Sequence, residues 1–354
     1  MVPLIFSDVY KDYIWGGRNL EQWGKKLPEG IVAESWEISC HPDGPSRVVN
    51  GEFEGETLAD LITRYPKEMM GTKVSEIHTD FPLLVKLIDA QNKLSVQVHP
   101  DDSYALLHEQ ENGKNEMWYI LWAAPDAQLI IDVKKNVHKD QFLTGLSQGN
   151  LDQYLNFVNV KEGDVIYIPA GLVHAIGAGI VLIEIQQNSN STYRVFDYNR
   201  KGADGKLRPL HIDKALDVID FKHAGRRAVY RGLKISTPEA DRKILVASKH
   251  FCVEDWHLKS GVTVQTHDER FYLFTCINGD AKVRWKDNVI SVKKGMSCMI
   301  PACCDQTIID GKDCRLIVST IGNIERDVLK PLLTEGYDKT TIMNEIPGIN
   351  ELQI

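Results

Sequence analysis

KEGDVIYIPAGLVHAIGAGIVLIEIQQ (161–187) reads as strand, turn and returning strand. Gly163 and Asp164 turn into an apolar run. Pro169 and Gly171 make the next turn, and His174 opens the run that comes back. The pattern recurs later in the chain: Gly295-MSCMI-Pro301-Ala matches Gly163-DVIYI-Pro169-Ala. Upstream of each copy the match continues. Glu269-Arg-Phe-Tyr-Leu-Phe parallels Glu116-Met-Trp-Tyr-Ile-Leu, and Gln265-Thr-His267 parallels Gln97-Val-His99. An internal repeat of this kind points to two β-units of one type. The first copy carries an extra segment between its His and its Glu.

The remaining runs agree with a mainly β fold. SWEIS (35–39), FPLLVKLIDA (81–90), KLSVQVH (93–99), EMWYILWA (116–123) and AQLIIDV (127–133) are strand-like and bounded by turn residues. Helical spacing appears in three places. TLADLITRYPKEMM (57–70) is broken at Pro66, SYALLHEQ (103–110) can be capped by Asp101 and Asp102, and residues 136–157 form a second helical insertion. Short turns between many strands predict sandwich or barrel architecture with helical insertions, at about 55–70 and 136–157, in the first unit. The expected division is 1–235 for the first unit, 236–320 for the second, and a partly helical tail at 321–354. The boundary lies in the polar stretch from Arg226 to Glu239.

A formal net charge of −8 over 354 residues excludes general nucleic-acid binding, and an anionic small substrate would need a locally basic site. The seven cysteines include no C-x-x-C pair, so a reducing compartment fits better than a disulfide framework. Cys303 and Cys304 read as a buried strand-end pair, since no second pair completes a four-ligand zinc site. Asp8 and Lys11 interrupt the N-terminal apolar run where a secretory core would continue, and no stretch approaches 18 apolar residues. The expectation is a cytoplasmic protein without a membrane span.

The chemistry concentrates in SVQVHPDD (95–102). Side chains alternate along a strand, so Ser95, Gln97 and His99 share one face while Val96 and Val98 point into a core. Pro100 stops the strand after the His. With Glu116 opening the next strand and His174 after the Gly/Pro turn, two imidazoles, a carboxylate and an amide oxygen suit a divalent metal with open positions. Two histidines and one carboxylate also describe a non-haem iron oxygenase, and a non-catalytic binding protein could keep the same pocket.

Gly163-x5-Pro169-x-Gly171-x2-His174 is similar to the second motif of the cupins, and Gln97-x-His99 with Glu116 to the first. More narrowly, the chain resembles the type I mannose-6-phosphate isomerases in their short bacterial form. The strings that carry this are YIWGG (13–17), ESWEIS (34–39), LLVKLIDAQNKLSVQVHPDD (83–102), GKNEMWYIL (113–121), IPAGLVHAIG (168–177) and EIQQNSNSTYRVFDYNR (184–200), within residues 1 to 320. The resemblance implies two cupin-type jelly-roll β-barrels. It also implies one Zn2+ per chain, held by Gln97, His99, Glu116 and His174. The implied reaction interconverts mannose 6-phosphate and fructose 6-phosphate by an enediol-type proton transfer. Lys114 and Arg194 would be catalytic, with Arg194 stabilising charge on the sugar oxygens. Ser95, Lys86, Arg200 and Asn190 would contact the phosphosugar. Asn190 stands where the family often has Asp, which removes a carboxylate base at that position. The chain is expected to be a monomer or weak homodimer. In the second unit the position matching His174 is Gln306 and that matching Gly171 is Cys303, so its site is expected to have decayed although Gln265, His267 and Glu269 remain.

Overall fold

A computed structural model describes residues 1–202 and 205–351. The apolar runs fold as strands, and their burial follows their sequence. Leu83–Ala90 and Ile180–Gln187 are buried at every position, because both faces of their sheet are covered. Pairing is antiparallel. A six-stranded sheet runs in the spatial order Val9–Lys11, Glu34–Ile38, Leu83–Ala90, Ile180–Gln187, Glu116–Ala123, Val165–Ile168. Facing it is a five-stranded sheet ordered Tyr193–Phe196, Val96–Val98, His174–Ile176, Gln128–Val133, Leu155–Asn159. Ile88, Trp118, Ile120, Leu129, Ile131 and Leu182 fill the space between them.

The second half repeats the layout with a seven-stranded and a four-stranded sheet. Trp256, Val264, Phe274, Val283, Leu316 and Val318 pack between these two. The largest apolar cluster joins the halves back to back. Val85, Leu87 and Ile183 of the six-stranded sheet meet Val253, Leu273 and Ile317 of the seven-stranded one. Two details tie the halves together more closely than the sequence reading anticipates. The N-terminal strand Leu4–Ile5 pairs with Met299 and Cys298 in the seven-stranded sheet. Leu233–Ser236, which spans the expected 235/236 boundary, is the other edge of that sheet.

Helices cover the outer faces. Thr57 caps Leu58–Arg64 by accepting the Asp60 N–H, and Pro66 opens a separate turn, Pro66–Met70. Asp101 accepts the Tyr104 N–H at the start of Asp102–His108. The expected helical insertion at 136–157 is too long. Lys139–Gln148 is a helix, but Gly149, at φ 69°, closes it in the left-handed conformation. Leu155–Asn159 then alternates in burial and pairs with Gln128–Val133. Ile212–Val218 is a helix that the sequence reading left unassigned. With Lys139–Gln148 it covers Val96, Val98 and Val195, so the two valines of SVQVHPDD do lie in a core, on the side away from the site. Lys330–Glu335 and Lys339–Glu345 in the tail cover Ile235 and Ile244. Among the described residues no helix is long and apolar enough to cross a membrane.

The back-to-back seam is continuous, so the halves are expected to unfold as one cooperative unit. Phe271 is fully buried there, with its ring 4.9 Å from that of Phe81. Phe271→Ala is expected to cost about 3–5 kcal/mol in urea unfolding while leaving a single transition. Two separated transitions in the unmutated protein would show that the halves unfold independently.

Candidate metal centre

Strand register builds this site. In the five-stranded sheet Arg194 pairs with Gln97, and Gln97 pairs with His174. In the six-stranded sheet Trp36 pairs with Lys86, Lys86 with Glu184, and Glu184 with Trp118. Each step across a sheet is about 4.8 Å, so each wall carries a lateral row of polar side chains at one end of an otherwise apolar interior. From these rows Arg194, Gln97, Lys86, Glu184 and Trp118 line a cavity of about 250 Å³ together with Tyr13, Glu34, Ser95, Lys114, Glu116 and Thr192.

His99, Glu116 and His174 are buried, and one potential ligand atom from each lies within 4.8 Å of the others. The imidazoles are oriented from behind. His99 Nδ1 is 2.9 Å from the Ser191 carbonyl, and His174 Nδ1 is 2.9 Å from the Leu172 carbonyl. A carbonyl only accepts, so each Nδ1 carries its hydrogen and each Nε2 presents a bare lone pair. His99 Nε2 lies 3.3 Å and His174 Nε2 3.9 Å from the Glu116 carboxylate. Lys114 Nζ lies 2.9 Å from Glu116 Oε1. These contacts have ion-pair spacing but not hydrogen-bond alignment: His99 Nε2 and both Glu116 oxygens are buried without a hydrogen-bond partner. Gln97 Nε2 is 3.3 Å from His174 Nε2, and a half-turn of the amide brings Oε1 to the same point.

Protonation states follow from this packing. Burial, reinforced by His99, pushes His174 down to about 3. Burial and then Lys114 push His99 down. Burial alone would raise Glu116, but Lys114 and His99 outweigh it and hold the carboxyl well below the usual carboxylate range. Two neutral imidazoles and an ionised carboxylate are the states that metal binding requires. The orphaned atoms and the N/O donor set fit a divalent cation.

The other expected residues divide. Lys86 is 3% exposed and lies 3.1 Å from Glu184 and 3.7 Å from Glu34. Ser95 donates to Gln97 Oε1 at 3.3 Å and lines the cavity. Asn190 lines it too, with its amide donating to Asp43 at 2.8 Å. Arg194 is on the cavity wall. Arg200 is not among the lining residues, and its guanidinium is taken by Asp197 and the Lys93 carbonyl. Arg208, which the sequence reading passed over, lines the cavity instead. Glu184 was also missed, although IVLIEIQQ carries a signal. A lone carboxylate in an apolar buried strand needs a partner, and LLVKLIDA supplies the matching lone Lys86.

The second half differs by more than one lost ligand. Gln265, His267 and Gln306 are exposed. His267 and Gln306 sit in left-handed turns, at φ 55° and 63°. Glu269 is bound to Arg326 at 2.8 Å. The buried position between Gln265 and His267 belongs to Thr266, whose hydroxyl donates to the Ala302 carbonyl.

Residues 4–120 match the family described as "Phosphomannose isomerase type I, catalytic domain", and residues 241–321 match "Mannose-6-phosphate isomerase, cupin domain". The chain is 38% identical to mannose-6-phosphate isomerase ManA of Bacillus subtilis over 301 residues, which is 84% of this chain and 93% of that protein. It is 35% identical to mannose-6-phosphate isomerase of Streptococcus mutans over 318 residues, covering 90% and 98%. The crystal structure of the Bacillus subtilis mannose 6-phosphate isomerase superposes with a TM-score of 0.83 at 33% identity, covering 90% of this chain and 99% of that one.

Two outcomes are expected from this geometry. His174→Ala removes one bare Nε2, so divalent metal measured by plasma mass spectrometry should fall from about one per chain to a trace. Unchanged content would place the metal elsewhere. In metal-stripped protein, the folded value of about 3 lies below the unfolded value of about 6.5. The His174 contribution is then complete above pH ~6.5 and is lost as the pH falls towards 3. Between pH 7 and 5 the unmutated protein should lose about 2 kcal/mol more stability than His174→Gln, read from urea midpoints.

Proposed function

The chain belongs to the type I mannose-6-phosphate isomerases, and we propose that it interconverts mannose 6-phosphate and fructose 6-phosphate in the cavity between its first two sheets. One observation carries this reading above the others. A buried cluster of two histidines and a carboxylate, His99, His174 and Glu116, adjoins through Gln97 and Glu116 a cavity that an acidic chain has lined with Lys86, Lys114, Arg194 and Arg208. An oxygenase has no need of that positive lining, and a mere binding protein has no need of the bare donor cluster. The two pairs of sheets read as two jelly-roll barrels of the cupin kind, the first holding the site and the second filled by its own apolar core. Free cysteines throughout the described chain suit the reducing cytoplasm.

His99, Glu116, His174 and the Gln97 amide would hold zinc, which accepts imidazole and carboxylate donors. Bound there, zinc would supply Lewis-acid polarisation of the sugar oxygens on which negative charge develops. The chain's own groups account for the remaining demands. After ring opening a proton must leave C2 and arrive at C1. Glu184 is fitted to carry it: burial is the largest influence on its carboxyl and raises its pKa, so it binds a proton more readily than an ordinary carboxylate. Its Oε2 accepts from Trp118 Nε1 at 2.8 Å, which fixes the carboxylate plane. Lys86 keeps Glu184 in place and can donate to a sugar hydroxyl. Lys114, 4% exposed, brings a positive charge to the reacting end, where it can stabilise the enediolate oxygens. Ser95 and Asn190 offer neutral hydrogen bonds along the sugar chain.

The test is a coupled assay for fructose 6-phosphate formed from mannose 6-phosphate. Turnover should vanish on chelation, return with zinc, and be absent in His174→Ala. Turnover indifferent to chelation would overturn the metal assignment, and absence of turnover with any divalent metal would overturn the activity. Glu184→Gln should lower kcat by ~10²–10⁴-fold with little change in KM. A kcat within a few-fold of the unmutated protein would remove Glu184 from proton transfer.

A further inference from the structure

Where the phosphate of such a substrate rests is set by a loop without regular structure. The backbone of residues 209–211 runs beside Arg194. His211 N–H donates to the Arg194 carbonyl at 2.8 Å, Arg194 N–H reaches His211 Nδ1 at 3.2 Å, and Arg194 Nη1 donates to the Pro209 carbonyl at 2.9 Å. This brings Arg208 beside Arg194, and both guanidiniums line the cavity. We propose that Arg194 and Arg208 form a two-guanidinium clamp for the phosphomonoester dianion, with Asp197 and Arg200 as its brace.

Four observations support the clamp. Arg194 Nε is buried without a hydrogen-bond partner, a donor left waiting for an acceptor. Among the described residues, Arg194, Arg200 and Arg208 surround a single carboxylate, Asp197, which is 5% exposed. Two positive charges there are unbalanced in a chain of net charge −8, and a phosphomonoester carries nearly two negative charges at neutral pH. Burial and the adjacent Arg208 lower the Arg194 pKa, the mark of two like charges held close without an anion between them. Asp197 grips Arg208 through Nε at 2.8 Å and through Nη2, and it also holds Arg200 Nη2. The clamp arginine is therefore aimed, while Arg200, turned onto Asp197 and the Lys93 carbonyl, does the aiming.

Position agrees with chemistry. In the cross-strand row Arg194 lies beyond Gln97 from His174, so the arginines stand on the side of Gln97 opposite that histidine. In a hexose 6-phosphate the phosphate is at the far end of the carbon chain from C1 and C2. The clamp therefore places Arg194 at the phosphate and not at the reacting oxygens. It rests on the isomerase reading for its substrate, though not for its anion.

The experiment pairs kinetics with binding of inorganic phosphate. Arg208→Ala should raise KM for mannose 6-phosphate by ~10-fold or more and leave kcat within ~3-fold. It should weaken competitive inhibition by inorganic phosphate by the same factor. Arg208→Lys should recover part of both, and Arg200→Ala should have a smaller effect than Arg208→Ala. The thermal upshift of the unmutated protein by inorganic phosphate should shrink in Arg208→Lys and Arg208→Gln, which keeps the readout available if the alanine variant fails to fold. Unchanged KM and phosphate inhibition in Arg208→Ala would overturn the clamp while leaving the isomerase standing. A phosphate upshift that disappears with Arg208, in a protein that never converts mannose 6-phosphate, would leave the clamp and remove the isomerase. No phosphate response in the unmutated protein would overturn the clamp outright.

Discussion

A carboxylate and two neutral imidazoles, buried together and balanced by a single lysine, Lys114, form a donor set that a divalent cation satisfies. Much of the first half of the chain is arranged around keeping that cluster in place. Carbonyls of Ser191 and Leu172 hold the two rings from behind and fix which nitrogen faces inward. Pro100 and Gly171 end the segments that carry His99 and precede His174, and the Gly171 N–H donates to the His99 carbonyl. The two ligand-bearing segments are thereby tied to one another through the backbone as well as through any bound ion.

The cavity exists because polar rows replace apolar layers at one end of a sandwich. Deeper in, Ile88, Trp118, Ile120 and Leu129 close the same space. At the open end Lys86 and Glu184 neutralise one another across adjacent strands, with the Trp118 indole donating to Glu184 and the Trp36 ring beneath Lys86. Removing one partner of such a pair costs several kcal/mol, because the other charge stays buried. The second half shows what the same layout does without these rows. Its interior is filled by Trp256, Phe274, Leu316 and their neighbours, and its Gln265 and His267 face solvent. That half contributes packing: it covers the outer face of the six-stranded sheet that bears Lys86, Glu116 and Glu184.

Much of this was legible in the sequence because it is periodic. The strand Glu116–Ala123 has the bounds its apolar run announces, and the alternation in SVQVHPDD separates the valines, which join the apolar cluster under the helices, from Ser95 and Gln97, which line the cavity, and His99, which joins the ligand cluster. Features set by long-range register were not legible. Nothing local in LLVKLIDA or IVLIEIQQ says that Lys86 and Glu184 face each other, and nothing in the first residues says that Leu4 pairs with Met299. Arg208 arrives on an irregular loop without a period, so Arg200, six residues after Arg194, drew attention in its place. At residues 155–159 helical spacing and strand alternation overlap over a few positions, and the stop at Gly149 decides between them.

The most direct test of the central claim is X-ray absorption at the zinc edge of the reconstituted protein. The account requires nitrogen and oxygen donors alone, at about 2.0–2.2 Å, with the outer-shell scattering of two imidazoles, one of which is lost in His99→Ala. A sulfur shell at about 2.3 Å would place the metal on cysteines instead and contradict the account.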